Sequence, residues 1–213
     1  DLKGLSSLVY SFAKAGIYSD GLKPFLEDLT SDQNICQLTD WSVTNLLCSF
    51  GSFPDEDELL PFLSKLLKEA VKGERLARYT ERNFAQILYG VSKTTLRRKL
   101  EPMYISQLVE GASVPGFLPT YTDQGLANVV YALTHLSYVD HEVHDRIAVE
   151  VNKRVENCDG IPLATFVYSW GRIPYKNATF INAVTEKLKT RHVVESYSEH
   201  ILGNLLFGLI RLG

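Results

Sequence analysis

The sequence predicts an all-α protein, an α-solenoid of stacked helix-turn-helix repeats of about 37–42 residues. Three observations predict it. Six stretches align with one another without gaps: "LSSLVYSFAKAG" from Leu5, "VTNLLCSFGSFP" from Val43, "FAQILYGVSKTT" from Phe84, "LANVVYALTHLS" from Leu126, "LATFVYSWGRIP" from Leu163 and "LGNLLFGLIRLG" from Leu202. Four residues before each stands Asp1, Thr39, Thr80, Thr122, Asp159 or Ser198. All are favoured helix N-caps, because a short side-chain oxygen can accept from a backbone N–H left free in the first turn. Finally, a second amphipathic stretch follows nearly every one of the six.

In each aligned stretch, counting its first residue as offset 0, apolar residues fall at offsets 0, 3, 4 and 7 and usually 10. That is one stripe of an α-helix, here termed helix A. The A helices are predicted to start near residues 1, 39, 80, 122, 159 and 198. Offsets 1 and 8 are mostly small, as in Ala85, Ala127, Ala164, Ala13, Gly51 and Gly171, which lets a neighbouring helix approach closely. The second stretches are "DELLPFLSKLLKEAV" from Asp57, "LRRKLEPMYISQLVEGA" from Leu96, "DHEVHDRIAVEVNKRVE" from Asp140 and "NATFINAVTEKLKTR" from Asn177. They predict helix B of the unit. "GASVPGFLPTY", Gly111 to Tyr121, reads as an irregular connector with two prolines. The expected organisation is a single solenoid over residues 1–213, with about five and a half helix pairs, cut from a longer chain.

Composition agrees with a globular chain: 45% of the 213 residues are apolar and 22% charged. No apolar run is long enough for a membrane span, so no membrane partner is expected. The opening "DLKGLSSLVY" lacks a signal-peptide pattern. Cys36, Cys48 and Cys158 are odd in number and irregularly spaced, which predicts buried thiols in a reducing compartment rather than disulfides or zinc.

On helix A, offsets 2, 6 and 9 project at about 200°, 240° and 180° from the apolar stripe, where packing dictates nothing. Yet they are restricted. Offset 2 holds Ser7, Asn45, Gln86, Asn128, Thr165 and Asn204, all neutral and able to hydrogen-bond. Offset 9 holds Lys14, Ser52, Lys93, His135, Arg172 and Arg211. Offset 6 holds Ser11, Ser49, Gly90, Ala132, Ser169 and Gly208, small residues expected to keep the surroundings open. The six windows contain no acid at all, although at the chain's average of 25 acids in 213 residues they would hold about eight. The net charge of −3 therefore hides an A-helix surface of one sign, with the acids placed in turns and B helices, as in "PDEDE" and "DHEVHD". Helix dipoles favour cations at C-termini and account for some of offset 9, but not for the missing acids in mid-helix.

The stretches "LANVVYAL", "LATFVYSW" and "LVYSFAKAG" resemble helix A of the octotricopeptide and heptatricopeptide repeat families, whose helix pairs are related to segments preceding RAP domains and to those of FAST-kinase-like proteins. Tetratricopeptide and pentatricopeptide units are shorter than any spacing found here. The resemblance implies single-stranded RNA or rRNA as partner, with other ribonucleoprotein subunits, in mitochondria or alternatively plastids. The roles it implies are RNA processing, stability, translation or ribosome assembly. Carried over position by position, it makes Asn45, Gln86, Asn128, Thr165, Asn204 and Ser7 the base-facing residues. Lys14, Lys93, Arg172 and Arg211 would hold phosphates, with His135 joining when protonated. Repeat 2 departs from the pattern at Cys48 and Ser52, and repeat 3 at Phe84.

Other features carry less. Tyr89, Tyr131 and Tyr168 at offset 5 are expected mainly to line contacts between adjacent A helices, and Arg97, Arg98 and Lys99 to form a solvated start of helix B. His141 and His144 in "DHEVHD" lack the spacing and third ligand of a metal site, and no nucleotide-loop or nucleophile motif marks an enzyme, so neither metal nor cofactor is expected. The alternative function is a structural or protein-binding solenoid scaffold, for example a subunit of a mitochondrial ribosome.

Overall fold

A computed structural model describes residues 1–54 and 57–213, so Asp55 and Glu56 of the acidic "PDEDE" turn lie outside the described residues. The fold is all-α. Among the described residues there are thirteen α-helices and no strand: α1 (Leu2–Lys14), α2 (Lys23–Leu29), α3 (Asp40–Ser49), α4 (Leu60–Ala70), α5 (Gly73–Leu76), α6 (Glu81–Lys93), α7 (Pro102–Ala112), α8 (Asp123–His135), α9 (His141–Asn152), α10 (Gly160–Trp170), α11 (Ala178–Leu188), α12 (Arg191–Glu195) and α13 (Glu199–Leu212). The six A helices are α1, α3, α6, α8, α10 and α13. The chain divides into two compact units, Asp1–Ala112 and Ser113–Gly213, and the division falls within the irregular connector.

The caps stand where the sequence places them. Asp1, Thr39, Thr122 and Ser198 accept first-turn N–H groups through their side chains. Thr80 forms a capping box in which Asn83 Oδ1 accepts from the Thr80 N–H at 3.0 Å. Asp159 also occupies the N-cap position, but its carboxylate makes no capping bond. It accepts from the Tyr197 hydroxyl at 2.8 Å and pairs with Lys187 at 2.9 Å.

In the first unit α3 packs on both α1 and α6, and in the second α10 packs on both α8 and α13. The stripe at offsets 0, 3, 4 and 7 is closed in the middle helices: Val43, Leu46, Leu47 and Phe50 of repeat 2 are buried, as are Leu163, Phe166, Val167 and Trp170 of repeat 5. Each such side chain contributes roughly 1.5–3 kcal/mol through burial. Repeats are also closed by a cation that the sequence reading missed. Arg75, after α4, donates to Glu69, to Asp40 at 2.8 Å and to the Leu38 carbonyl at 2.9 Å, so it ties the end of the B segment to the start of α3. In repeat 4 Arg154 does the same work, reaching Glu150, Asp123 and the Tyr121 carbonyl. Lys187 of α11 reaches the Val155 and Glu156 carbonyls and Asp159 in repeat 5.

The small residues have a different task from the expected one at offset 6. Ser49, Gly90, Ala132, Ser169 and Gly208 are buried, and Gly90, Ser169 and Gly208 sit against offset 8 of the preceding A helix. A Cβ on Gly90 would lie 2.5 Å from Cys48 Cα, and one on Gly208 would lie 2.3 Å from the Val167 carbonyl oxygen. Gly51 and Gly171 complete the two contacts, each Cβ position falling 2.7 Å from the backbone of the facing glycine. Where larger residues meet, the Thr134 hydroxyl donates to the Ser169 carbonyl at 3.3 Å. Offset 6 is therefore a backbone-to-backbone contact rather than open space.

Two further expectations are corrected. Arg97, Arg98 and Lys99 belong to a 3₁₀ turn, Thr95–Lys99, and α7 starts only at Pro102, since the residue before a proline is disfavoured in helical geometry. Lys99 pairs with Asp57 and Arg97 donates to the Thr94 carbonyl at 2.6 Å. Of the cysteines, Cys158 is buried, Cys48 half-buried and Cys36 exposed, the last in a 3₁₀ turn over Ile35–Gln37; all three are free. No helix among the described residues is long and apolar enough to cross a membrane.

Candidate nucleic-acid interface

The side-by-side packing of A helices consumes both flanks of α3 and α10 and one flank of α1, α6, α8 and α13. What remains outward is a narrow ridge at offsets −2, 2, 5 and 9, one helical turn apart and about 140–200° from the core stripe. All six residues at offset −2, Lys3, Trp41, Arg82, Gln124, Ile161 and His200, are exposed. The sequence reading overlooked this position. The same helical projection that singled out offset 2 would have found it, one turn earlier.

At offset 9 the cations are exposed except for His135, which is half-buried. They are not loose. Lys14 Nζ lies 5.7 Å from the Tyr10 ring centroid and Lys93 Nζ 5.4 Å from that of Tyr89. The guanidinium carbons of Arg172 and Arg211 lie 5.4 and 5.2 Å from the rings of Tyr168 and Phe207. His135 stacks on Tyr131, with centroids 3.9 Å apart and planes 23° apart, and its Nδ1 is 3.0 Å from the Tyr131 carbonyl oxygen. Offsets 5 and 9 are thus an aromatic–cation pair at i, i+4 in five of the six repeats, with Cys48 and Ser52 in its place in repeat 2. Each such pair is worth about 0.5–1 kcal/mol at an exposed site and limits where the cation can swing. The expected contact between neighbouring A helices also exists, in the 5.2 Å approach of Tyr168 to Phe207.

Among the described residues Lys14, Lys93, Arg172 and Arg211 form no ion pair, whereas Lys23, Lys99, Lys153, Lys187, Lys189 and Arg191 each meet a carboxylate. In the first unit Tyr10, Lys14, Cys48, Ser52, Tyr89 and Lys93 line one shallow concavity across α1, α3 and α6. The Cys48 thiol there is not activated: burial pushes its pKa up, against the weaker pull of Lys14 and Lys93.

The offset-2 residues fall into two groups. Ser7 and Thr165 turn back to donate to the carbonyls of Lys3 and Ile161, each at 2.8 Å, while Asn128 accepts from Gln124 at 2.9 Å and Asn204 lies 3.3 Å from His200. These four are engaged with their own helix. Asn45 is buried at 6% exposure and Gln86 is half-buried. Both line a single cavity of about 300 Å³ between α3 and α6.

Neither histidine of "DHEVHD" presents a metal ligand set. His144 is buried, with Nε2 3.0 Å from the Tyr138 carbonyl oxygen and Nδ1 accepting from Trp170 Nε1 at 3.2 Å, so both ring nitrogens are occupied. Burial pulls its pKa below the usual histidine value. No group of three or more His, Cys, Asp or Glu among the described residues is arranged to hold a metal ion. Comparison with protein families and with curated proteins found no match.

Proposed function

We propose that the chain binds single-stranded RNA along the outward ridges of its A helices, in organellar RNA processing, stability, translation or ribosome assembly, with the mitochondrion as its site. The observation that carries this reading is the repeated cation without a carboxylate, held against an aromatic ring at the same place in four of the six A helices. Phosphates supply the missing counter-charge at a spacing set by the repeat, and half-buried rings and amides beside them suit unstacked bases. The resemblance of the A-helix segments to octotricopeptide and heptatricopeptide repeats points the same way. The chain is read as a binder rather than an enzyme.

The test is the salt dependence of binding to an unstructured oligoribonucleotide, measured by fluorescence anisotropy. Phosphate contacts by Lys14, Lys93, Arg172 and Arg211 alone give a log–log slope of about −2.8, so a fourfold rise in salt weakens binding by at least about 50-fold. A flat dependence, or no binding at low salt, rejects the reading.

A further inference from the structure

The cavity between α3 and α6 is unlike the rest of the ridge. Asn45 is 94% removed from solvent by its 6% exposure, yet among the described residues its side-chain amide makes no hydrogen bond. Neither of its amide atoms is sealed from solvent, so they face the cavity and are available to a guest. Gln86, on the facing helix, likewise makes no side-chain hydrogen bond among the described residues, and both amides line the same space. The neighbouring Asn83 is already committed, donating to the Thr44 hydroxyl at 3.0 Å and capping Thr80. The mouth carries Trp41, 47% exposed at offset −2, together with Tyr10 and Arg82. Arg82 forms no ion pair among the described residues, and no carboxylate lines the cavity. A guest must therefore be flat and apolar on its faces, must bear both donors and acceptors on its edge, and must be neutral or anionic overall.

We infer that this cavity holds one unpaired nucleotide of the bound RNA, its base stacked on Trp41 and read on its edge by Asn45 and Gln86, its phosphate held by Arg82. The inference rests on the RNA-binding reading above and sharpens it to one place. A volume of about 300 Å³ is at the small end for ligand sites and suits a single base. The Watson–Crick edge of any unpaired base offers a primary amide an adjacent donor and acceptor, but adenine offers two such pairs around one amino group, N6–H with N1 and N6–H with N7, so two amides can engage it at once. Adenine is therefore the preferred base. Two repeats share this one reader, because the Cys48 and Ser52 departures leave repeat 2 without its aromatic–cation pair while its Asn45 and Trp41 complete the cavity with repeat 3.

The experiment titrates the full chain with three decaribonucleotides: oligouridylate, the same strand with one central adenosine, and the same strand with one central abasic site. Affinity is followed by anisotropy and stacking by tryptophan fluorescence. The chain has two tryptophans, and Trp170 is 1% exposed, so quenching reports Trp41. The adenosine strand is expected to bind about 10-fold more tightly than oligouridylate and to quench Trp41, and the abasic strand to do neither. Trp41→Ala and Asn45→Leu are each expected to erase the adenosine preference while leaving the salt slope unchanged. Asn45→Leu should also leave thermal stability about the same, since its amide makes no hydrogen bond among the described residues; a structural Asn45 would instead make this variant unstable. Equal quenching by all three strands, or a preference that survives both variants, overturns the inference while salt-dependent binding stands. If no strand binds the wild-type chain, the RNA reading itself has failed and the inference falls with it.

Discussion

Replacing Lys93, Arg172 and Arg211 together by Glu is expected to weaken binding of single-stranded RNA by more than about 50-fold at 0.15 M salt. Each neutralised phosphate contributes roughly fourfold at that ionic strength, from a slope of about −0.7 per contact on a single strand. Three lost contacts multiply to about 50-fold, and the introduced carboxylates add repulsion to it. The slope itself should become shallower by about 2.1, which separates loss of charge contacts from general damage. All three side chains are exposed and near the C-terminal ends of α6, α10 and α13, so glutamate there opposes the helix dipole. The Gln triple variant avoids that penalty and should still lose most of the affinity. Circular dichroism checks that the helices persist. Unchanged affinity in both triple variants would show that this ridge does not bind RNA.

Arg75→Ala is expected to destabilise the first unit by about 3 kcal/mol, near the lower end of the range for stripping one partner from a buried ion pair. Arg75 and Glu69 are each 5% exposed, and the guanidinium also satisfies the Leu38 carbonyl. Two contacts limit the loss. Lys72 still meets the other Glu69 oxygen, and Arg78 still grips both oxygens of Asp40. Arg78's hydrogen bond, helped by the charges of Arg78 and Arg75, holds the Asp40 pKa below the usual carboxylate range even though burial opposes it. At about 4 °C per kcal/mol for a unit of this size, the melting transition should drop by about 12 °C. Calorimetry should show that drop in one component and leave the other unmoved, because Arg154 and Lys187 close the repeats of the second unit independently. A shift under about 2 °C would mean that the B segment is held to α3 by apolar packing alone.

The A helices were legible because two independent periodicities coincide, the stripe at offsets 0, 3, 4 and 7 and the cap four residues ahead. Thr39, Thr122 and Ser198 show how little tertiary context such a cap needs. The cation staples were not legible in the same way. Asp40 and Arg75 are far apart in sequence, and an acid at a helix start followed by a base at a helix end is ordinary in any helical protein. Offset 6 was misread for a physical reason. A helical projection assigns burial by side-chain polarity, and Gly90 and Gly208 have no side chain to assign; they are buried because two backbones touch. The ridge was half legible. Asn45, Gln86 and the cations of offset 9 stand on it, but Trp41 and Arg82 were passed over. They precede the aligned windows, and their neighbours at the same offset, Lys3, Gln124, Ile161 and His200, share no chemistry.

The central claim is that RNA lies on the A-helix ridges and not on the B helices. Ultraviolet crosslinking of single-stranded RNA to the full chain, with the modified residues located by mass spectrometry, tests it most directly. The predicted result is crosslinks at Tyr10, Trp41, Tyr89, Tyr131, Tyr168 and Phe207, fading as salt is raised. Crosslinks confined to α4, α7, α9 and α11 would contradict it.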